Sequence, residues 1–98
     1  MKEISTTEVQ RRLEAGEHLH LIDVREIAEV QEGHIPGTVN IPLGTLPEHV
    51  NELDKNKSYI MVCRSSARSG QATAFLEEQG FDATNMVGGM LAWEGKVE

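Results

Sequence analysis

The sequence has little cysteine, little positive charge and no long apolar run. Its 1 cysteine among 98 residues excludes an internal disulfide, so the chain needs no oxidising compartment and suits a reducing cytosol. Lysine and arginine number 9 against 16 acidic residues, and the net charge of −7 argues against nucleic acid or an anionic membrane as partner. No run approaches the roughly 20 apolar residues that span a bilayer, and no signal-like segment opens the chain. These absences predict a soluble, cytoplasmic protein.

The composition is that of one ordinary globular domain. With 39% apolar and 26% charged residues, the chain can bury a hydrophobic core and shows no bias towards disorder. Because 98 residues are too few for two domains, we expect a single domain over residues 1–98. His18 and His20 share one face of a predicted strand, but no further ligand is placed to complete a metal site. The sequence therefore predicts no metal and no cofactor.

Alternating strand and helix patterns predict an α/β fold. Apolar or alternating runs predict strands over residues 18–24, 39–42, 59–62 and 83–87. Helical spacing and capping signals predict helices over residues 6–15, 26–31, 46–53 and 67–79, with a last helical turn at 90–94. Residues 1–5 are predicted to lead directly into the first helix. Strands that alternate with helices imply a mostly parallel sheet, in which ligands bind at the carboxyl ends of the strands.

Cys63 lies where a predicted strand ends and a small polar loop begins. The apolar run Tyr59–Val62 comes directly before it, and the loop leads into the helix predicted from Ala67. Ser65, Ser66 and Ala67 are small, so successive N–H groups can turn inward as an anion-binding nest, to which the helix adds its positive end. This setting favours the thiolate, the reactive form of cysteine. The alternative is that Cys63 is a small buried apolar residue without chemistry.

Arg64 and Arg68 make this loop a positive island in an acidic chain, because no acidic residue occurs from position 59 to position 76. Guanidinium groups donate paired hydrogen bonds to two oxygens, which suits sulfonate, sulfate or phosphate groups. The two arginines are therefore candidates for binding an anionic substrate. The alternative is that they are solvated or pair with an acidic side chain, the candidates being Glu26, Glu29 and Glu94.

Three motifs, in this order along the chain, resemble those of the rhodanese-type sulfurtransferases. Asp23-Val24-Arg25-Glu26, with the segment GHIPGTVNIP over residues 33–42, resembles the N-terminal signature of that family. Cys63-Arg64-Ser65-Ser66-Ala67-Arg68 resembles its six-residue active-site loop, which usually runs Cys-Arg-x-Gly-x-Arg. Gly88-Gly89-Met90, followed by Trp93, resembles its C-terminal signature. The resemblance covers nearly the whole chain.

The resemblance implies a central five-stranded, mostly parallel sheet flanked by helices, and a catalytic Cys63 that carries sulfur as a persulfide. Its thiolate would attack the outer sulfur of a donor such as thiosulfate and release sulfite, and cyanide or a thiol would then take the sulfur from the persulfide. Arg68, with Arg64 as a second group, would hold the anionic donor. The N–H groups from Arg64 to Ser69, including those of Ser65, Ser66 and Ala67, would hold the persulfide. A protein acceptor is compatible with this scheme.

The length of the loop and one of its residues bear on the substrate. Related phosphatases and arsenate reductases have a longer loop, whereas four residues separate Cys63 from Arg68 here. The smaller cradle favours a sulfur atom at its centre over a tetrahedral oxyanion. Ser66 stands where the family usually has glycine, and if this position requires a positive φ the serine costs about 1 kcal/mol in strain.

Three residues outside the loop are predicted to support it. Asp23 is expected to orient the loop region and not to act as acid or base, and Arg25 is expected to join the same polar network. Trp93 is expected to be a core or lid residue beside the loop. Two other functions stay open: a non-catalytic rhodanese-like binding or regulatory module, which the intact Cys63 disfavours, and a single-cysteine redox protein, which would need a partner thiol.

Overall fold

The computed structural model describes all 98 residues and contains one five-stranded sheet with the strand order β1-β5-β4-β2-β3. Every neighbouring pair of strands is parallel. The strands are β1 (Lys2–Ser5), β2 (His20–Asp23), β3 (Val39–Asn40), β4 (Ser58–Val62) and β5 (Asp82–Val87). The helices are α1 (Thr6–Glu14), α2 (Ile27–Glu32), α3 (Leu46–His49), α4 (Ala67–Glu78) and α5 (Gly89–Ala92). The expected α/β class with a five-stranded parallel sheet is confirmed.

The predicted helices and the four predicted strands are all present, with shifted ends. The helix predicted over residues 46–53 is the most irregular, because α3 is a single turn between the 3₁₀ turns Leu43–Thr45 and Val50–Glu52. At the end of α4, Gly80 has a φ of +90° and the N–H of Phe81 donates to the carbonyl of Leu76, which ends the helix. None of the helices is both long and apolar enough to cross a membrane.

Strand β1 is the element that the sequence pattern did not predict. Residues 1–5 were expected to lead straight into a helix, but Lys2–Ser5 forms an edge strand that pairs with β5, with Ile4 opposite Met86. The error has a physical cause, because three of the four residues are exposed and the strand lacks the apolar alternation of a half-buried one. Ser5 nevertheless caps α1 as expected, since its Oγ accepts a hydrogen bond from the N–H of Glu8 at 3.0 Å.

Both faces of the sheet are covered, which explains the uninterrupted apolar run of β4. Met61 and Cys63 point into a core that includes Leu76 of α4, whereas Ile60 and Val62 belong to a second core with Val9 of α1. A parallel strand buried on both faces has no solvated side and therefore no polar alternation. Truncating a fully buried leucine such as Leu76 to alanine is expected to destabilise the fold by about 2–5 kcal/mol.

The carboxyl ends of β2 and β4 lie side by side at one edge of the sheet. Asp23 is the register partner of Val62, and the N–H of Val24 donates to the carbonyl of Val62 at 2.8 Å. The segment after Asp23 and the loop after Cys63 therefore share one rim, as expected from the strand order of an α/β fold. This rim carries the candidate site.

Candidate active site

The sulfur of Cys63 lies inside the loop that follows β4. The residue is 1% exposed, and its Sγ accepts a hydrogen bond from the backbone N–H of Ser66 at 3.1 Å. The Oγ of Ser69, in the first turn of α4, lies 3.2 Å from the same sulfur. Cys63 is a free cysteine. The chain thus holds its one thiol at the point where loop and helix donors converge.

The surroundings of Cys63 act on its pKa in two directions. Burial raises the pKa of the thiol, because the charged thiolate loses hydration. The Ser69 hydroxyl and the backbone N–H groups of Ser69, Ser65 and Ser66 lower it, because they donate to the thiolate. The donors outweigh the burial, so that the pKa lies below its ordinary value. A depressed thiol pKa is the property expected of a nucleophilic cysteine.

Ser66 forms the sharp turn of the loop. Its φ is +129°, and no other residue apart from glycine has a positive φ. Position 66 therefore has the positive φ for which strain was expected, since serine occupies a backbone conformation that glycine adopts without strain. The N–H of Gly70 donates to the Ser66 carbonyl at 2.9 Å and starts α4, while the Ser66 N–H turns to the sulfur.

Helix α5 holds the loop from the other side. The N–H of Met90 donates to the carbonyl of Cys63 at 2.9 Å, and the N–H of Leu91 donates to the carbonyl of Arg64 at 3.0 Å. Gly89 makes this approach possible: a Cβ at that position would overlap the Arg64 carbonyl and lie 2.6 Å from the Cys63 carbonyl oxygen. The loop carbonyls therefore face α5, while the N–H of Ser66 faces the sulfur.

Arg68 is bound to an acidic side chain. Its Nη1 and Nη2 donate to Oε1 and Oε2 of Glu29 in α2, at 2.6 and 2.9 Å. These hydrogen bonds, with a further one from the Glu26 backbone, lower the pKa of Glu29 to about 2. The same hydrogen bonds raise the pKa of Arg68. The sequence left open whether Arg68 binds an anionic substrate or is solvated or paired with an acidic side chain. In this structure Arg68 is paired with Glu29.

Arg64 differs from Arg68, because it is exposed and its side chain makes no hydrogen bond or ion pair within the chain. It lines a shallow depression of about 310 Å³ that also includes Met90, Leu91 and Val97. Leu91 is 66% exposed, and Arg25, Glu29, Glu32 and Gly33 complete the lining, so that Arg64 shares the depression with both apolar and charged groups. The remaining loop residues, Ser65 and Ala67, are exposed as well.

Asp23 and Arg25 form the polar network predicted beside the loop. Arg25 Nη2 donates to Asp23 Oδ2 at 2.8 Å, and the side chain of Asp23 is fully buried. Arg25 also donates to the carbonyl of Gly33 at 2.8 Å. The pair thereby joins the end of β2 to the end of α2, the helix that supplies Glu29. Its geometry is that of a structural support.

Trp93 lies directly after α5 and packs with the core on the α1 side of the sheet, opposite the core of Cys63. Its Nε1 donates to the carbonyl of Lys96 at 3.0 Å. The ring lines a small cleft with Leu13 and Pro36. Trp93 is therefore partly buried behind α5, on the face of the sheet opposite to Cys63, and does not cover the loop.

One buried polar residue beside the site was not singled out from the sequence. Asn85 of β5 is 5% exposed, and its Oδ1 accepts a hydrogen bond from the Ser69 hydroxyl at 2.6 Å. The sequence does contain one indication of this residue, because Asn85 is a polar residue in a strand whose residues Ala83 and Met86 are buried. Its partner on α4 could not be identified without the packing of helix on sheet.

Comparisons with known proteins agree with one another. The family model described as "Rhodanese-like domain" matches residues 5–96. The chain is 50% identical over 98 residues to "Putative sulfurtransferase YtwF" of Bacillus subtilis, covering 100% of this chain and 95% of that protein. It is 36% identical over 94 residues to a protein named "Sulfurtransferase" of Allochromatium vinosum, covering 95% and 88%. A crystal structure of a rhodanese-like domain protein from Staphylococcus aureus superposes with a TM-score of 0.94 at 37% identity, covering 100% and 97% of the two chains.

Proposed function

Because the chain belongs to the rhodanese-like domain family, we propose that it is a sulfurtransferase that carries sulfane sulfur on Cys63. The observation that carries the proposal is the position of the Cys63 sulfur, which is held between the Ser66 N–H and the Ser69 hydroxyl. The Ser66 N–H donates to the sulfur, and the Ser69 hydroxyl, which accepts from the thiol in the structure, can donate once the thiol has lost its proton; both groups then stabilise a thiolate before the reaction and a persulfide anion after it. A buried cysteine with a purely packing role has no need of them.

The proposed reaction has two displacements at sulfur. In the first, the Cys63 thiolate attacks the outer sulfur of a donor such as thiosulfate; a new S–S bond forms, the S–S bond of the donor breaks, and sulfite leaves with the electron pair. In the second, cyanide or a thiolate attacks the outer sulfur of the persulfide, and Cys63 leaves as the thiolate. Electrons balance within the two steps, so that neither an oxidant nor a metal is required.

The two arginines are assigned different roles in this reaction. The Glu29 carboxylate already neutralises Arg68, so Arg68 is proposed to anchor the loop to α2. Arg64 makes no ion pair within the chain and lies at the mouth of the loop, so it is proposed to bind the sulfonate end of the donor. This assignment reverses the expectation from the sequence, in which Arg68 was the principal group for the donor.

The loop supports sulfur transfer in preference to phosphoryl transfer. Its backbone donors converge on a single atom, the Cys63 sulfur, and four residues separate Cys63 from Arg68. A persulfide presents one terminal sulfur to such donors, whereas a phosphoryl group presents three oxygens. We propose that the protein acts in the reducing cytoplasm, where its one thiol stays free, and that a small thiol or a protein thiol accepts the sulfur.

The proposal is tested by incubating the protein with thiosulfate and measuring its intact mass. We expect a gain of one sulfur atom, which cyanide removes as thiocyanate. Cys63→Ser should show no gain, and Cys63→Ser is a small change at a site that the fold already buries. If neither thiosulfate nor an organic persulfide adds sulfur to a protein whose Cys63 reacts readily with iodoacetamide, the proposed function is wrong.

A further inference from the structure

Asn85 is buried beside the active loop and faces α4. It sits in β5 with Met61 of β4 as its register partner. Its Oδ1 accepts a hydrogen bond from Ser69, its Nδ2 lies 3.5 Å from the carbonyl of Ser66, and a Cβ on Gly70 would lie 3.4 Å from that Nδ2. The amide thus contacts the two residues that also contact the Cys63 sulfur. Burying an amide is unfavourable unless its hydrogen bonds are made, and those of Asn85 lead to the active loop.

A chain of hydrogen bonds connects the sulfur with this amide. The Cys63 thiol donates to Ser69 Oγ at 3.2 Å, and the Ser69 hydroxyl donates to Asn85 Oδ1 at 2.6 Å. A serine hydroxyl has one proton, so it cannot donate to Asn85 and to the sulfur together. The arrangement in the structure is therefore the one that suits a protonated thiol.

The thiolate requires the opposite direction. A thiolate has no proton to donate and must accept one, so Ser69 has to turn its proton from Asn85 to the sulfur. Ser69 Oγ would then face Asn85 Oδ1 with no proton between them. Because both atoms carry lone pairs, this contact is repulsive at hydrogen-bond distance. Asparagine can relieve this, because its side-chain amide carries an acceptor on one side and donors on the other. After rotation of the amide, which gives up the long contact of Nδ2 with the Ser66 carbonyl, Nδ2 donates to Ser69 Oγ and Ser69 donates to the thiolate.

We propose that Asn85 is a positioning residue that sets the direction of the Ser69 hydroxyl, and thereby whether that hydroxyl accepts from the Cys63 thiol or donates to the thiolate. Asn85 makes no contact with the substrate in this scheme and acts only through Ser69. The proposal rests on the proposed function only in taking Cys63 as the reacting group. Its test needs no sulfur donor, so the two can fail separately.

The charged groups around Cys63 stay the same when Asn85 is replaced by alanine. From α4 Arg68 faces the site together with its partner Glu29 of α2, and Arg64 extends from the loop. The Asp23–Arg25 pair lies at the end of β2, and α3 and α5 bring no charged partner to the Ser69 hydroxyl. None of these groups is hydrogen-bonded to Asn85.

The test is the pH dependence of alkylation of Cys63 by iodoacetamide, a neutral reagent. Asn85→Ala removes the hydrogen bond to Ser69 in both states, but the loss is larger for the thiolate, because donation from Nδ2 polarises the hydroxyl that donates to the charged sulfur; we expect the midpoint to rise and the rate at neutral pH to fall by about two- to threefold. Asn85→Asp offers Ser69 an acceptor at all times and places a negative charge nearby, so its midpoint should rise further. The expected order of midpoints is wild type, Asn85→Ala, then Asn85→Asp.

A second background shows whether Asn85 acts through Ser69. In Ser69→Ala, the further change Asn85→Ala should leave the midpoint where it is, and Asn85→Asp should show only a reduced shift from its charge. Thr73→Val is the matched control, because it removes another buried hydroxyl of α4, which bonds the Ser69 carbonyl at 2.7 Å and not the sulfur. Its midpoint should equal that of the wild type.

The proposal is overturned if the midpoints of the Asn85 variants equal that of the wild type, or if their shifts are the same with and without the Ser69 hydroxyl. Thermal unfolding shows which variants are folded. If Asn85→Ala does not fold, the near-isosteric Asn85→Asp with and without Ser69→Ala decides the question by the same criterion. Failure of thiosulfate to load any of these proteins would count against the proposed function and would leave the alkylation result standing.

Discussion

Arg68 and Glu29 are joined by two hydrogen bonds, one to each oxygen of the carboxylate, at 2.6 and 2.9 Å. The two side chains come from different helices and are about equally accessible, with 33% and 32% of their surfaces exposed. The pair fixes the amino end of α4 to α2 and removes a positive charge from the mouth of the loop. Because the pairing neutralises Arg68, Arg64 is the loop arginine that is proposed to bind an anionic donor.

The first prediction separates the two arginines of the loop. Arg64→Ala should raise the KM for thiosulfate about three- to tenfold, because it removes one charge-assisted hydrogen bond to the donor. It should leave the alkylation of Cys63 by iodoacetamide unchanged. Arg68→Ala should reduce both reactions, because it frees the Glu29 carboxylate beside the loop. Steady-state kinetics with thiosulfate and with iodoacetamide checks this. If Arg68→Ala raised only the KM for thiosulfate and Arg64→Ala reduced both reactions, Arg68 and not Arg64 would be the residue that binds the donor.

The second prediction concerns acid and the Arg68–Glu29 pair. The pKa of Glu29 is about 2 in the folded chain, below its ordinary 4.5, so the folded state binds this proton less readily than the unfolded state. The contribution of the pair to stability is therefore present above about pH 4.5 and is lost as the pH falls towards 2. Because both groups are about one-third exposed, it should amount to at most about 1 kcal/mol.

Urea unfolding of the wild type and Glu29→Gln over this pH range measures that contribution. The two proteins should differ at neutral pH and converge as the pH approaches 2. The pKa of Glu8 is also about 2, held there by hydrogen bonds from Arg11 and Arg12, so the wild type alone would show both effects. A difference that stays constant with pH would mean that the charge of Glu29 contributes nothing to stability.

The third prediction concerns the strained turn at Ser66. Ser66→Gly should stabilise the protein by about 0.5–1 kcal/mol, because glycine adopts a positive φ without strain even after its greater freedom in the unfolded chain is counted. Ser66→Ala keeps the strain and should bring no gain. The free energies of unfolding in urea check both variants. A less stable Ser66→Gly would show that the serine side chain offsets its own strain through contacts in the loop.

The fourth prediction concerns the contact between Gly89 and the loop. Gly89→Ala should move the Cys63 and Arg64 carbonyls, reduce the alkylation rate of Cys63 at least tenfold and destabilise the fold by more than backbone strain alone. Gly37→Ala is the matched control: φ is +84°, and a Cβ there would meet nothing within 4 Å. It should cost about 1 kcal/mol and leave the thiol fully reactive. If Gly89→Ala and Gly37→Ala had equal effects on stability and on alkylation, overlap of the new Cβ with the loop carbonyls would not be the cause.

The fifth prediction is the titration of the wild-type thiol. Because the hydrogen-bond donors outweigh burial, the pKa of Cys63 is lowered and the thiolate forms at lower pH than in an unfolded peptide. The alkylation rate should rise with pH and level off with a midpoint below about 8.5, the value of an unperturbed cysteine. In urea-unfolded protein the midpoint should return to that value. A native midpoint at or above it would contradict the assigned role of the loop.

The sequence predicted those parts of the site that depend on neighbours along the chain. The strand before Cys63, the small loop and the helix after it are contiguous in the sequence. The strain at Ser66 could be predicted because serine stands there where glycine is usual. Glu29 could be named only as one of several possible partners of Arg68, since the choice depends on how α2 and α4 meet. Asn85 and β1 were missed because pairing between distant segments, and not local pattern, gives them their positions.

The hydrogen bonds from Met90 and Leu91 to the loop carbonyls also make the support of the loop depend on a segment that is synthesised after it. These donors follow β5, the last strand of the sheet to be synthesised, whereas Cys63 precedes that strand. A nascent chain that ends before α5 lacks these two hydrogen bonds, although it already contains Ser65, Ser66 and Ser69, whose donors act on the thiol. The loop therefore has its full set of supporting contacts only after the segment that follows β5 has been made and has packed against it.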